Sequence, residues 1–417
     1  MATMPKAQEE GGLRDDGQHR ILKDMGRERG EAAGPRGLMA LLRGERCDPA
    51  DGVIGTFNCS IRRKLLLILT LTTLLVIVSV LALGVGAVDI PIRDSLKVLG
   101  HLMFPDWVDA PEADYYSKII INSRAPRVVL AIITGISLAA SGVVMQGLLR
   151  NPLVSPFTLG LSSAASCGAA MALVFGPILL GATYYGNLSF LGGTFSHKNL
   201  FIILMAFIAG MSSTFLVLAI AKTQHLAQSV MILSGIVVSY LFTAGISFMK
   251  YISEDHTLRE ITLWLMGGMW GATWSAVAIL IPIVVVCFIL MERSAMDINT
   301  LSSGDDVAKN LGVNVHRLRI SGLTISSLMT SSCLAFTGVI GFVGLMAPHI
   351  CKMIIGNDHR YLLPASALMG ALILLVSDTV ARIVMRPVEL PVGIIMYLIG
   401  GAFFIWLVTR KSGRYLT

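Results

Sequence analysis

Ionisable and polar side chains are scarce over most of this chain, so the groups that could do chemistry can be taken one at a time. His349, Asp358, His359 and Arg360 lie close together and are the types that a metal site or an acid–base pair would use. No second group supplies further ligands at a recognisable spacing, so the cluster reads as helix capping and loop anchoring. Six cysteines (Cys47, Cys59, Cys167, Cys287, Cys333 and Cys351) show neither a CxxC nor a Cys/His ligand pattern. The last four fall in apolar stretches, where cysteine behaves as a small hydrophobe, and neither a metal nor a needed disulfide is expected. No Gly-x4-Gly-Lys-Ser/Thr loop occurs, so the chain is not expected to cradle nucleotide phosphates in that way. A paired nucleophile and base at membrane depth, which an intramembrane enzyme would need, is also missing.

Other polar residues look like positioning devices. Ser303-Gly-Asp-Asp-Val-Ala-Lys-Asn-Leu-Gly312 combines a serine cap, acids in a first turn and a stopping glycine, which predicts a short helix. Val307, Ala308 and Leu311 fall on one face of it, giving it an apolar side to dock. Asp378 lies four residues before Arg382, so the two can pair along one helical face and lower the cost of an acid within a span. Ala131, Gly135, Ala139, Gly142 and Gln146 also share a face, small along its length and polar at one end. Close helix packing accounts for the glycines. Gln146 either faces a pathway or reaches lipid headgroups.

The elements that must position these residues follow from composition. The chain is 54% hydrophobic and only 14% charged, far from a soluble domain. Its apolar runs suffice to cross about 30 Å of hydrocarbon, which takes roughly 20 helical residues. They do not alternate apolar with polar residues, which excludes a β-barrel. The net charge of +7 carries no basic patch interleaved with aromatics. It is better explained by arginines and lysines flanking spans on the cytoplasmic side. Residues 1–60 are polar, charged and glycine-rich, without an early apolar core for a signal peptide, and predict a disordered or weakly helical cytoplasmic extension.

Spans are predicted near 65–88, 128–149, 157–175, 200–221, 229–249, 275–291, 320–336, 341–355, 362–380 and 392–408. Arg62-Arg-Lys64 and the tail Arg410, Lys411 and Arg414 then share the cytoplasmic side, as ten crossings require. Asp106, Asp109, Glu112 and Asp114 belong to an external loop. The segment 341–355 is short, which a tilt or burial within protein would explain. An internal echo links Gly142-Val-Val and Pro152 to Gly338-Val-Ile and Pro348, spaced alike but on oppositely directed spans. It implies a five-plus-five inverted repeat. Arg124, Arg127 and Arg382 would all lie on the outer side, against the topological bias. Lipid headgroups reached by snorkelling are one explanation.

Several motifs then agree in order: Arg124-Ala-Pro-Arg127, Arg150-Asn-Pro-Leu153, Gly338-Val-Ile-Gly-Phe-Val-Gly-Leu-Met-Ala-Pro-His349 and Gly356-Asn-Asp-His-Arg-Tyr-Leu-Leu-Pro364. From about Arg62 to the C-terminus the chain resembles the FecCD-type permease subunits of ABC importers for ferric siderophores, haem and cobalamin. Departures are few: Ala164, Gly268, Lys352 and Ala402 stand where glycine, serine, arginine and proline are usual.

The resemblance implies an all-α type II ABC importer fold with about ten transmembrane helices over residues 61–417. It implies a homodimer or paralogous heterodimer in the cytoplasmic membrane, with both termini cytoplasmic, a separate ATPase subunit and an extracytoplasmic binding protein. Arg124, Arg127 and Arg382 would meet acids on the binding protein, for which a guanidinium fork is suited. Gly304, Asp305, Asp306, Val307, Ala308, Leu311 and Gly312 would form the helix that couples to the ATPase. Gln146, Ser162 and Ser163 would line the pathway. No cofactor, metal or nucleic acid is implied. The alternative, a secondary transporter with an inverted repeat, would need midplane ionisable groups, which the spans nearly lack. Cysteines introduced at Glu112 and Ser412 should be labelled from opposite sides by an impermeant thiol reagent once native cysteines are replaced. Labelling of both from one side would break the ten-span threading.

Overall fold

Lipid offers no partner to a backbone N–H or C=O, so a chain that crosses it must satisfy its hydrogen bonds within each segment. Helices therefore dominate the computed structural model, which describes residues 52–86, 90–103, 114–190, 193–224 and 226–409. Asp106, Asp109 and Glu112, the tail Arg410, Lys411 and Arg414, and the 1–51 part of the N-terminal extension lie outside the described residues. The chain divides after Arg63; the unit before it contributes only the first turns of α1 to the described residues.

In chain order the helices are α1 (Gly52–Gly84), α2 (Ile92–Met103), α3 (Asp114–Ile119), α4 (Ala125–Leu148) and α5 (Leu161–Leu180). A short hairpin follows, β1 (Asn187–Phe190) paired antiparallel with β2 (Gly193–Ser196) in the register Asn187 to Ser196. Then come α6 (His197–Lys222), α7 (Gln228–Ile252), α8 (Asp255–Met266) and α9 (Trp274–Arg293). Next are α10 (Ala295–Ser302), α11 (Asp305–Asn310), α12 (Val315–Thr337), α13 (Val343–Ile355), α14 (His359–Ile383) and α15 (Val392–Thr409).

Among the described residues nine helical segments are long and apolar enough to cross a membrane: α1, α3 with α4, α5, α6, α7, α9, α12, α14 and α15. The short span expected at 341–355 is α13, with 13 residues. At a rise of 1.5 Å per residue it reaches only about 20 Å. Most of it is buried by protein, including Pro348 and His349.

The expected loop before α4 already contains helix. A π-helical turn, Ile120–Arg124, joins α3 to α4. Pro126 sits in the first turn of α4, and its ring cannot tolerate a regular turn before it. The third span also starts later than expected. Pro156–Leu159 is a 3-10 turn, and Gly160, at φ 79°, separates it from α5.

At the centre stands α4, with 83% of its apolar stretch buried against 17% for α1. Its small face does what the spacing predicts. A Cβ at Gly135 would strike the backbone of Gly370 and Ala371 in α14, and one at Gly142 would overlap the carbonyl oxygen of Gly344 in α13. The two copies of the internal echo thus lie against each other. Hydroxyls bond the third neighbour: Ser137 Oγ donates to the Met329 carbonyl at 2.9 Å and Ser141 Oγ to that of Ser326 at 3.1 Å, both in α12. Such bonds contribute on average about 0.6 kcal/mol each in membranes. The glycine crossings set the backbone spacing, so Gly142→Val should lower the thermal unfolding midpoint in detergent, with a loss of at least about 1–3 kcal/mol. Gly401→Ala, where an added methyl meets nothing within 4 Å, should not. Equal midpoints for both variants would refute the crossing.

Candidate functional site

At one end of the bundle, the start of α4 and the end of α14 meet the last turn of α1. The first-turn side chain of Arg127 faces Asp378: Nη2 donates to Oδ1 at 2.9 Å, and Nε lies 3.1 and 3.2 Å from the two carboxylate oxygens. Its Nη1 donates to Glu389 Oε2. Asp378 is fully buried. Arg382, one turn on, brings Nε to 3.2 Å from Asp378 Oδ2, an ion pair in distance that is not aligned as a hydrogen bond. This pairing agrees with the spacing of the two residues.

Further donors serve the end of α1, whose last carbonyls have no partner within the helix. Arg124 Nη1 donates to Leu83 and Gly84 at 2.7 and 2.8 Å, and Arg382 Nη1 donates to Ala82 and Val85 at 3.2 and 2.9 Å. Guanidiniums also suit the negative end of the helix dipole. The three arginines expected to meet a binding protein are thus largely engaged within the chain. Arg124 and Arg382 are buried and Arg127 is nearly so, because an enclosed acid and open carbonyls claim their donors.

At the opposite end, α11 forms where the serine–acid–glycine pattern places it. Its cap differs: Gly304, at φ 125°, occupies the N-cap, and Ser303 ends α10. Asp306 pairs with Lys309 at 3.3 Å on the exposed side. The predicted apolar face divides. Ala308 is buried, whereas Val307 and Leu311 are 45% and 69% exposed. Gly312, at φ 86°, closes the turn. Asp305 points the other way, to Arg150 at 3.1 Å and Arg319 at 2.9 Å.

A second polar node at this end is Asp358, the N-cap of α14. It accepts from Lys64 of α1 at 3.1 Å, from Asn299 of α10 at 2.9 Å and from the Arg360 guanidinium at 3.0 and 3.1 Å. Burial pushes its carboxyl up, but the hydrogen bonds from Arg360, Asn299 and Lys64 hold it well below the usual carboxylate range. Asn299 Oδ1 in turn accepts from the His359 backbone N–H at 2.8 Å and lies 2.8 Å from its Nδ1. This is the anchoring role that the Asp358–Arg360 motif implies. Among the described residues no three His, Cys, Asp or Glu side chains are grouped to hold a metal ion.

Gln146 does not line an open path in this structure. It is buried between α4 and α13, where Nε2 donates to the Gly344 carbonyl at 3.3 Å and Oε1 accepts from Lys352 at 2.9 Å. Ser162 and Ser163 are half-buried in the first turn of α5. Sequence reasoning missed Asn299, Arg319 and the pairing of Lys64. Lys64 reads as part of the basic run Arg62-Arg-Lys64 and Arg319 as one of the basic residues with His316 and Arg317, so neither stands out in the sequence.

Residues 74–410 match the model of the FecCD transport family. The chain belongs to that family. The hemin transport system permease protein of Yersinia pestis is 36% identical over 346 residues, covering 82% of this chain and 96% of its own. The Fe(3+) dicitrate transport system permease protein of Escherichia coli K12 is 35% identical over 83% of this chain and 99% of its own. The vitamin B12 import system permease protein of Vibrio vulnificus is 32% identical over 84% and 95%. A solved inward-facing structure of an ABC transporter assigned to the metal-chelate type is similar with a TM-score of 0.68. It is 31% identical and covers 82% of this chain and 98% of the solved one.

The FecCD chain is thus a multi-pass permease subunit of an ABC importer, and the secondary-transporter reading gives way. Its buried acid should be the most sensitive single charge. Asp378→Asn leaves Arg382 confined without its carboxylate and Arg127 with Glu389 alone, and should cost on the order of 3–5 kcal/mol in unfolding measurements on the detergent-solubilised protein. An unchanged unfolding midpoint would mean that the two guanidiniums find other partners.

Proposed function

We propose that this permease imports a bulky metal chelate, of the class of ferric chelates, haem or cobalamin, across the cytoplasmic membrane by coupling to a separate ATPase. The observation that carries the coupling is the outward face of α11: Val307 and Leu311 stand exposed on a short helix whose opposite side is fastened to the bundle. An isolated six-residue helix would not persist in water, so that fastening makes the exposed pair a preformed docking knob. Gly304 and Gly312 frame it, and Asp306 supplies its acidic first turn. The α11 end is then cytoplasmic, as are both termini.

The turn at 385–389 would face the opposite side and receive an extracytoplasmic binding protein. Arg127 is the arginine of the three that an incoming acid can reach, by displacing the half-exposed Glu389. Arg124 and Arg382 would hold the α1 end beneath that surface. We put the pathway between two copies of the chain, with Ser162 and Ser163 near its lining; the close backbone contacts of α4 at Gly135 and Gly142 support this reading. The relatives named for hemin, ferric dicitrate and vitamin B12 support the cargo class without choosing within it.

The test is reconstitution with the ATPase and binding protein, comparing uptake of hemin, ferric citrate and cobalamin. Leu311→Asp should reduce ATP-driven uptake by about tenfold or more, because docking would bury an unpaired charge. Expression and insertion should persist, since the residue lies outside the spans. Normal uptake by a well-expressed Leu311→Asp variant would remove α11 from the coupling interface.

A further inference from the structure

Asp305 begins α11 yet contributes nothing to its exposed face. Its carboxylate meets two guanidiniums, those of Arg150 at 3.1 Å and Arg319 at 2.9 Å. Each cation is itself tied to a different part of the bundle. Arg150 follows α4 directly and adopts φ 44°, a left-handed conformation that a branchless glycine would take more easily. Arg319 belongs to α12, is nearly enclosed, and directs its Nε and Nη1 towards the carbonyls of Leu148 and Leu226 at 3.5 and 3.4 Å. Gln228 completes the node. With its amide oxygen turned towards the cations, it accepts from Arg150 Nε at 2.9 Å and Arg319 Nη2 at 2.8 Å. One acid on α11 therefore joins the end of α4, the α6–α7 turn, the start of α7 and the start of α12.

The rest of α11 offers little to replace it. Among the described residues Asp306 and Lys309 pair with each other, and Val307 and Leu311 face away, leaving Ala308 as the buried apolar contact. A methyl group resists sliding weakly. A carboxylate held by two partly desolvated guanidiniums resists both sliding and rotation.

We propose that Asp305 is a positioning residue for energy transmission: through Arg150 and Arg319 it makes α11 move as one body with the cytoplasmic ends of α4, α7 and α12. This rests on the reading of α11 as the ATPase-docking helix, and it divides that helix into an outer docking side and an inner transmitting side. Loss of the docking side should prevent engagement of the ATPase. Loss of Asp305 should leave the ATPase engaged while its work no longer reaches the membrane helices.

The test uses the complete complex with its ATPase and binding protein in liposomes, offered hemin, ferric citrate and cobalamin separately. In Asp305→Asn, ATP hydrolysis should stay within about twofold of the parent. Cargo moved per ATP hydrolysed should fall by about tenfold or more, within the range of ordinary coupling energies. Asp305→Glu should restore most of the loss, and Arg150→Gln should produce a smaller loss of the same kind. An unchanged ratio in Asp305→Asn would overturn the proposal. So would failure of both Asp305→Asn and Arg150→Gln to assemble, because the node would then serve folding.

Spin labels at Lys309→Cys and Leu153→Cys, with native cysteines replaced, read the same claim without cargo. Their separation within a protomer should be narrow and unchanged by ATP, and should broaden in Asp305→Asn. A separation that shifts with ATP in the parent would overturn the rigid link. If the parent complex moves none of the three cargoes, the proposed function fails, while the label distances still decide the role of Asp305.

Discussion

Much of this permease depends on how closely α4 can approach its neighbours. Lipid supplies no hydrophobic drive for helices to associate, so attraction must come from dispersion and hydrogen bonds at short range. Gly135 and Gly142 allow α14 and α13 to reach the α4 backbone, and Ser137 and Ser141 bond α12. A helix without bulky side chains along this face can hold three partners at once. It can also carry ionic groups at both ends, since each end is fixed relative to the other by continuous helix between Ala125 and Leu148.

Those ends obey one electrostatic rule. An ion taken out of water loses several kcal/mol of hydration, so it persists only where a counter-charge and hydrogen bonds replace water. Asp378 receives Arg127 and Arg382; Asp305 receives Arg150 and Arg319; Asp358 receives Lys64 and Arg360. In each node one acid is shared between two cations that come from different segments. Sharing of this kind ties segments together more firmly than a simple pair.

The apolar runs made the long spans legible, and the four- and three-residue spacing of small residues identified the packed face of α4. Asp378 and Arg382 were legible as a pair because both lie on one helix. Arg127 was not legible as their partner, since its acid lies 251 positions away and only the folded chain brings them together. The same distance problem hid the carbonyls at the end of α1 from Arg124. The sequence left Gln146 open because a polar residue at a span end is equally suited to water, headgroups or a buried lysine. The predicted serine cap of α11 failed for a local reason: Gly304 takes the left-handed conformation, and Asp305 turns inward to the arginines. The segment before α9 contains α8, whose mixture of charged and apolar residues is too short to span and resembles a loop in hydropathy.

Taken together, these contacts describe a lever. On the proposed coupling, work delivered at α11 would pass through Asp305 to one end of α4, and α4 would carry it to the arginine-rich end that holds α1 and α14. The most direct measurement places spin labels at Met385, an exposed residue beside the arginine node, in the two copies of the proposed dimer. Addition of a non-hydrolysable ATP analogue should shift the distance between them by several ångströms, on the scale of packed helices sliding or rotating. A shift confined to labels at Lys309, with no change at Met385, would contradict transmission along α4.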